Sequence, residues 1–201
     1  GRIQPAARSF CHYYPLQMEM FTMAALRFGQ EQAGVLMSAF AAMLAWLGLF
    51  HAGRRLGGTY CGRAAALAFI ALPLTLEWAS TSHTDMTSAA FMAGAAGAFI
   101  AWRNDGSDRR LLLCGLCAGG AVAAKMIMAL GTLLAIPAGI IGAVLWNESG
   151  CGRLRRTSRA LAIYAGGAAL PMLPWFLRNS IFAYNPFFPF LLDMFPTRTD
   201  L

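Results

Sequence analysis

The stretch that decides the fold is residues 111–146, LLLCGLCAGGAVAAKMIMALGTLLAIPAGIIGAVLW, in which Lys125 is the one charged side chain. As a single straight helix it would extend ~54 Å at 1.5 Å per residue, nearly twice the thickness of a bilayer's hydrocarbon core. It therefore reads as two membrane crossings, 111–124 and 126–146, that turn at Lys125. Both are short, so the turn is expected just below the membrane surface or in a water-filled cavity.

The same pattern of apolar blocks between short polar breaks continues outward on both sides. Further spans are expected at 33–50, 64–79, 88–102 and 160–177, within a bundle covering 31–177. Residues 1–30 form an extracytoplasmic or interfacial segment with a Met-rich amphipathic stretch from Leu16 to Phe28. Residues 178–201 are expected to form an extracytoplasmic tail rich in aromatics and proline that leads to a further C-terminal part. The predicted fold is thus all-α, a polytopic transmembrane bundle of about six short spans.

Composition agrees. The 201 residues are 58% hydrophobic and 12% charged, with a mean hydropathy of +0.53, roughly half the charge of a soluble domain. That excludes a water-soluble globule and a disordered chain. A porin-type barrel is excluded as well, because its strands would alternate apolar and polar residues. The chain begins at Gly1 without a basic start and cleavage site, and is expected to be a piece of a longer protein.

The net charge is +7 and 15 of the 16 cations are arginine, but no basic stripe with interleaved aromatics points to nucleic acid. Ten arginines instead occupy every second loop: Arg54, Arg55 and Arg63; Arg103, Arg109 and Arg110; Arg153, Arg155, Arg156 and Arg159. Cations concentrate on the cytoplasmic side of membrane proteins, so the loops at 51–63, 103–110 and 147–159 are predicted to be cytoplasmic. The alternation holds only if 111–146 crosses twice. The opposite face then gathers the loop Ser80–Thr87, the Lys125 turn and both ends of the chain. It carries Glu19, Glu31, Asp85, Asp193 and Asp200, five of the nine acidic residues.

Candidate site residues lie on that face. Asp85, in the loop Ser80-Thr-Ser-His-Thr-Asp85, has no cation beside it in sequence. A carboxylate at the membrane boundary is costly unless solvated, paired or used; it serves as a helix N-cap, as a ligand-orienting group, or as both. Lys125 either caps a helix C-terminus and snorkels to the headgroups or faces an anionic group, for which a lipid-linked phosphate is the natural candidate. Arg178, a bidentate donor, suits phosphate equally well. A divalent metal ion held by His83, Glu19 and Asp85 is chemically allowed. No spacing motif supports it, and a solvated interfacial histidine fits His83 better.

Other features carry less. Cys114 and Cys117 sit within an apolar helix with no second pair, and so read as small packing residues. The sequon at Asn147 falls in a predicted cytoplasmic loop. Gly115 with Gly119 and Gly94 with Ala98 allow helices to approach closely. No nucleotide-binding glycine loop or nucleophile elbow is present.

Taken in order, the segments resemble the GT-C class of membrane glycosyltransferases. This is the polyprenyl- or dolichyl-phosphate-sugar-dependent group that includes protein mannosyltransferases and aminoarabinose transferases. The resemblance rests on Tyr14-Pro15 with Glu19, the basic turn Gly53-Arg-Arg-Leu-Gly57, the loop His83-Thr-Asp85, and the span ending in Trp102. It continues through the run Leu111 to Lys125, Pro174-Trp-Phe-Leu-Arg178-Asn179, and Tyr184-Asn185-Pro186-Phe-Phe-Pro189-Phe190. It implies inverting transfer of a sugar from a polyprenyl-phosphate carrier to a lipid, glycan or protein acceptor on the noncytoplasmic face, in a bacterial inner membrane. Asp85 matches the family's second acidic position, Lys125 and Arg178 match cationic positions, and Asn185 joins the substrate-binding candidates. The family's general base, an aspartate after its first span, would lie upstream of Gly1. One departure is Ala183-Tyr184, where the family usually has Thr-Gly.

Two other classes share the membrane pattern. A transporter would use the same charges along a substrate path, but it predicts internal repeats, and none is evident. A noncatalytic membrane subunit would use the small-residue faces for assembly.

Overall fold

The structure, a computed structural model, describes residues 17–29, 32–147, 152–188, 191 and 194–195. Tyr14, Pro15, Glu31, Asp193, Asp200 and the Pro189-Phe190 end of the aromatic motif lie outside the described residues. The described residues are helical apart from turns and short connections. Seven α-helices follow in order: α1 Gln17–Arg27, α2 Ala33–Ala71, α3 Pro73–Ala79, α4 Asp85–Asp105, α5 Asp108–Ala124, α6 Ile136–Asn147 and α7 Gly152–Ala183. The chain is an all-α membrane protein. Three helical stretches, Ala33–Ala71, Met126–Trp146 and Gly152–Ala183, are long and apolar enough to cross a bilayer. Their large side chains point outward, as Leu36, Leu67, Leu133 and Leu134 do, which suits a lipid surrounding in which only the backbone must be satisfied internally.

The 39 residues of α2 do not run straight, because Gly57 (φ −143°, ψ 24°) and Gly58 (φ 79°, ψ −173°) leave helical geometry. The positive φ of Gly58 is one that glycine adopts without a Cβ penalty. The helix folds back there into two arms. They touch backbone to backbone: a Cβ on Gly53 would lie 2.9 Å from the Cys61 carbonyl oxygen, and one on Gly62 would lie 2.6 Å from that of Phe50. Where the sequence suggests a loop over 51–63, the structure keeps helix on both sides and reverses on two glycines. The second arm ends at extended Leu72, and Pro73 opens α3 at its first helical position, where its missing N–H costs nothing.

Helix α5 is the centre of the bundle, packed between α4 and α7, with ten buried residues. It runs antiparallel to α4, with Gly94 against Cys117 and Gly120 against the Phe91 ring. It runs parallel to α7, since Asp108 pairs with Arg159 while Gly119, further along, abuts Ala168. The α5–α7 contact is as close as helices come. A Cβ on Gly115 would stand 2.2 Å from the Tyr164 carbonyl oxygen, and one on Gly119 would stand 2.1 Å from that of Ala168. Small residues at four-residue spacing make such contact possible.

After α5 the chain breaks at Lys125, makes a 3-10 turn at Met126–Met128 and a π turn at Gly131–Ala135, then continues into α6. The Tyr164 hydroxyl donates to the Thr132 carbonyl at 2.7 Å, supplying a bond to a stretch whose backbone pairing is irregular. These directions sort the charges by end. Arg54, Arg55 and Arg63 flank the α2 reversal; Arg103, Arg109 and Arg110 flank the α4–α5 turn; Arg153 to Arg159 open α7. All ten stand at one end of the bundle. Asp85, Lys125 and Arg178 stand at the other.

Candidate active site

The loop from Ser80 to Thr84 joins α3 to α4 and is held at both sides. Ser80 and Thr81 donate their hydroxyls to the Glu77 carbonyl at 2.9 and 2.8 Å, closing the end of α3. Buried Ser38 on α2 accepts the His83 N–H at 3.2 Å, and its Oγ lies 3.1 Å from both the His83 and the Gly34 carbonyl oxygens, to either of which the hydroxyl can donate. Gly34 leaves room for this contact, since a Cβ there would overlap Ser82 Oγ.

This loop delivers Asp85 to the first turn of α4, after Thr84 in the N-cap position. A carboxylate there meets the positive end of the helix. Lys125 follows the last residue of α5 in an extended conformation (φ −153°, ψ 111°), where a cation meets the negative end of that helix. The antiparallel packing of α4 and α5 brings the two termini together, and Lys125 Nζ donates to Asp85 Oδ1 across 40 positions of sequence. The carboxylate side chain is only 16% exposed whereas the lysine is 38% exposed. The pair is therefore shielded on the aspartate side and open on the ammonium side.

Glu19 and His83, both exposed, line one recess of about 360 Å³ between α1, the start of α2 and the loop, together with Thr22, Ser38 and Thr84. Asp85 does not line that recess; its carboxylate faces Lys125. Among the described residues, no three His, Cys, Asp or Glu side chains are grouped as metal ligands would be.

The third part of this end is the close of α7. Arg178 lies with its guanidinium 5.8 Å from the centre of the Trp175 ring and within 3.5 Å of Asn179 Oδ1, an arrangement in which the aromatic face supports the cation. Asn179 donates to the Phe188 carbonyl at 3.3 Å. Asn185 is fully buried, and its Oδ1 accepts the Phe187 N–H at 2.9 Å, so its amide fixes the turn after α7. Tyr184 takes φ 55°, the left-handed conformation for which the glycine usual in the family is suited. The packing of Phe176 beside Val122, Ala123 and Met126 puts the end of α7 alongside the end of α5. Two features gave no sequence signal: the Ser38 clamp, and Thr87, whose buried hydroxyl finds no partner among the described residues. Lone hydroxyls in apolar helices look like packing residues until their neighbours are known.

A membrane bundle with a shielded Asp–Lys pair at one end and its arginines at the other can be set beside known families. The sequence profile of the dolichyl-phosphate-mannose-protein mannosyltransferase family matches residues 18–177. The chain belongs to that family. The match takes in Glu19, His83, Asp85 and Lys125 and stops one residue before Arg178. Neither a curated protein nor a solved structure matches the chain. Membership makes the chain a membrane glycosyltransferase of the GT-C type, from a family that in general draws on polyprenyl-phosphate-linked sugar donors.

Proposed function

We propose that this glycosyltransferase moves a sugar from a polyprenyl-phosphate carrier to a lipid, glycan or protein acceptor on the noncytoplasmic face of a bacterial inner membrane. The observation that carries the proposal is the Lys125–Asp85 pair, set at the end of the bundle opposite the ten arginines. Transfer breaks the bond between the anomeric carbon and the phosphate oxygen as the acceptor hydroxyl attacks. The hydroxyl proton must reach a base, and charge grows on the departing phosphate. Lys125 is the group that meets this charge, and Asp85 holds its ammonium in place between turnovers. Arg178, steadied by Trp175, supplies a second cation. Glu19 and His83 contact the sugar or acceptor in their recess, and Asn185 shapes the turn behind Arg178.

The test uses the full-length protein in proteoliposomes with a radiolabelled polyprenyl-phosphate sugar. Lys125→Ala is expected to lower kcat about 100-fold, the usual consequence of deleting one donor to a developing anion. Asp85→Asn is expected to lower it about 10-fold by loosening the lysine. Unchanged turnover in Lys125→Ala, with the bundle still folded, would overturn the assignment.

A further inference from the structure

Ser38 is 1% exposed and stands one turn after Gly34 on α2, so the two form a strip on one face of that helix. Two separate elements pack against the strip. From α1 comes Thr22, whose Cγ2 would stand 3.3 Å from a Cβ on Gly34; from the loop before α4 comes Ser82, whose Oγ such a Cβ would overlap. Glu19 lies one turn before Thr22 and so shares its side of α1. Glu19 and His83, far apart in sequence, thus reach one recess, of which Gly34 and Ser38 are the common wall.

The bonds at Ser38 are directed at backbone. Its Oγ accepts the His83 N–H at 3.2 Å and lies 3.1 Å from the His83 carbonyl oxygen, 45 positions away. The same N–H also meets the Thr81 carbonyl at 2.9 Å, but that bond stays within the loop's own turn. Ser38 is what ties His83 to another helix. Without its hydroxyl the His83 carbonyl would lose a donor in a partly buried position, where an unmet polar group is costly. Lys125 and Asp85 are held otherwise. They sit at the ends of α5 and α4, whose packing is fixed by Gly94 against Cys117 and Gly120 against Phe91, along a different interface from that of Ser38.

We propose that Ser38 is a positioning residue for the sugar of the donor: by holding the His83 backbone to α2 it sets the recess in place beside the Asp85–Lys125 pair, and so governs how well the donor is bound rather than how fast the sugar is transferred. This role rests on the sugar-transfer reading. The recess, at about 360 Å³, has the size of a ligand pocket. Thr22, Ser82 and Thr84 add hydroxyls to Glu19 and His83 around it, the mixture of donors and acceptors that sugar hydroxyls match. His83 is two residues from the carboxylate that steadies Lys125. A sugar linked to a phosphate at Lys125 therefore falls beside the recess.

The test measures transfer by the full-length protein in proteoliposomes with a radiolabelled polyprenyl-phosphate sugar, together with hydrogen exchange of the peptide spanning 80–87 by mass spectrometry. Ser38→Ala is expected to raise KM for the donor about 5- to 10-fold, the effect of one hydrogen bond lost from a binding geometry. It is expected to change kcat by less than about 2-fold, as when binding is lost equally in the ground and transition states. The loop amides are expected to exchange about 10-fold faster or more, since their tie to α2 is gone. Gly34→Ala, which displaces Ser82 while the Ser38 hydroxyl stays, is expected to raise KM in the same direction. Ser38→Ala combined with His83→Ala is expected to raise KM by less than the product of the two single effects, because both act through one side chain. An unchanged KM in Ser38→Ala, or a fall in kcat at constant KM, would overturn the role of Ser38 and leave sugar transfer standing. Absence of transfer by the wild-type protein would overturn the sugar-transfer reading and this role with it, and the exchange rates would then show separately whether Ser38 holds the loop.

Discussion

The two ends of the bundle use charge in opposite ways. At one end ten arginines stand around three reversals, and all but Arg110 are exposed; the two aspartates there make surface pairs with Arg110 and Arg159. At the other, one lysine and one aspartate 40 positions apart meet in a partly buried pair, each at the helix terminus whose dipole favours it. Abundant exposed charge decides how a chain lies in the membrane, and most of it can be exchanged singly at small cost. A shielded charge is retained only where its partner and surroundings offset its desolvation. Scarcity, rather than abundance, marks the chemically interesting end.

The comparison breaks most sharply if the two ends do not face opposite compartments. Cys61 is exposed beside the α2 reversal, and Ser82 is exposed in the loop before Asp85. In a background lacking the other cysteines, Cys61 is expected to react with a membrane-impermeant maleimide only from the cytoplasmic side, and Ser82→Cys only from the other. Labelling of both from one side would remove the proposed sidedness.

A second break goes through the helix that joins the ends. Gly119→Leu forces a side chain into the Ala168 backbone and is expected to cost about 3 kcal/mol or more in a detergent unfolding measurement. Gly97→Leu, where no atom lies within 4 Å of the added Cβ, is the matched control and should change little.

Exchanging charges refines the contrast. The swap Asp85→Lys with Lys125→Asp keeps a pair but sets each charge at the wrong helix terminus, and is expected to recover less than about half of the stability lost in the worse single variant. Arg159→Gln, at the exposed pair with Asp108, should cost under about 1 kcal/mol. The smallest effect is a gain. Tyr184→Gly relieves a left-handed non-glycine residue and is expected to raise stability by about 0.5–1 kcal/mol.

Much of this was legible in residue order. The lack of charge gives an all-helical membrane bundle, and the break at Lys125 follows from a run too long for one crossing. The periodic arginines separate the ends. What the sequence hides is distance. Nothing near Asp85 announces Lys125, because the pair exists only once α4 and α5 lie antiparallel. Gly53 and Gly62 look like loop residues, yet their role is to let two helical arms press together at Gly57–Gly58. Nor does residue order show that Asn185 is buried and accepts the Phe187 N–H within its own turn. The π turn at Gly131–Ala135 has no pattern distinguishing it from ordinary helix.

The parallel alignment of α5 with α7 also dictates an order of assembly. Helices α4 and α5 are joined by the short turn at Gly106 and can pair as soon as both are made. The partner of the Gly115–Gly119 face is more than forty residues further on and reaches it only after α6 has recrossed the bundle. During synthesis that glycine seam must wait, open to lipid or to a chaperoning neighbour, until α7 arrives to close it.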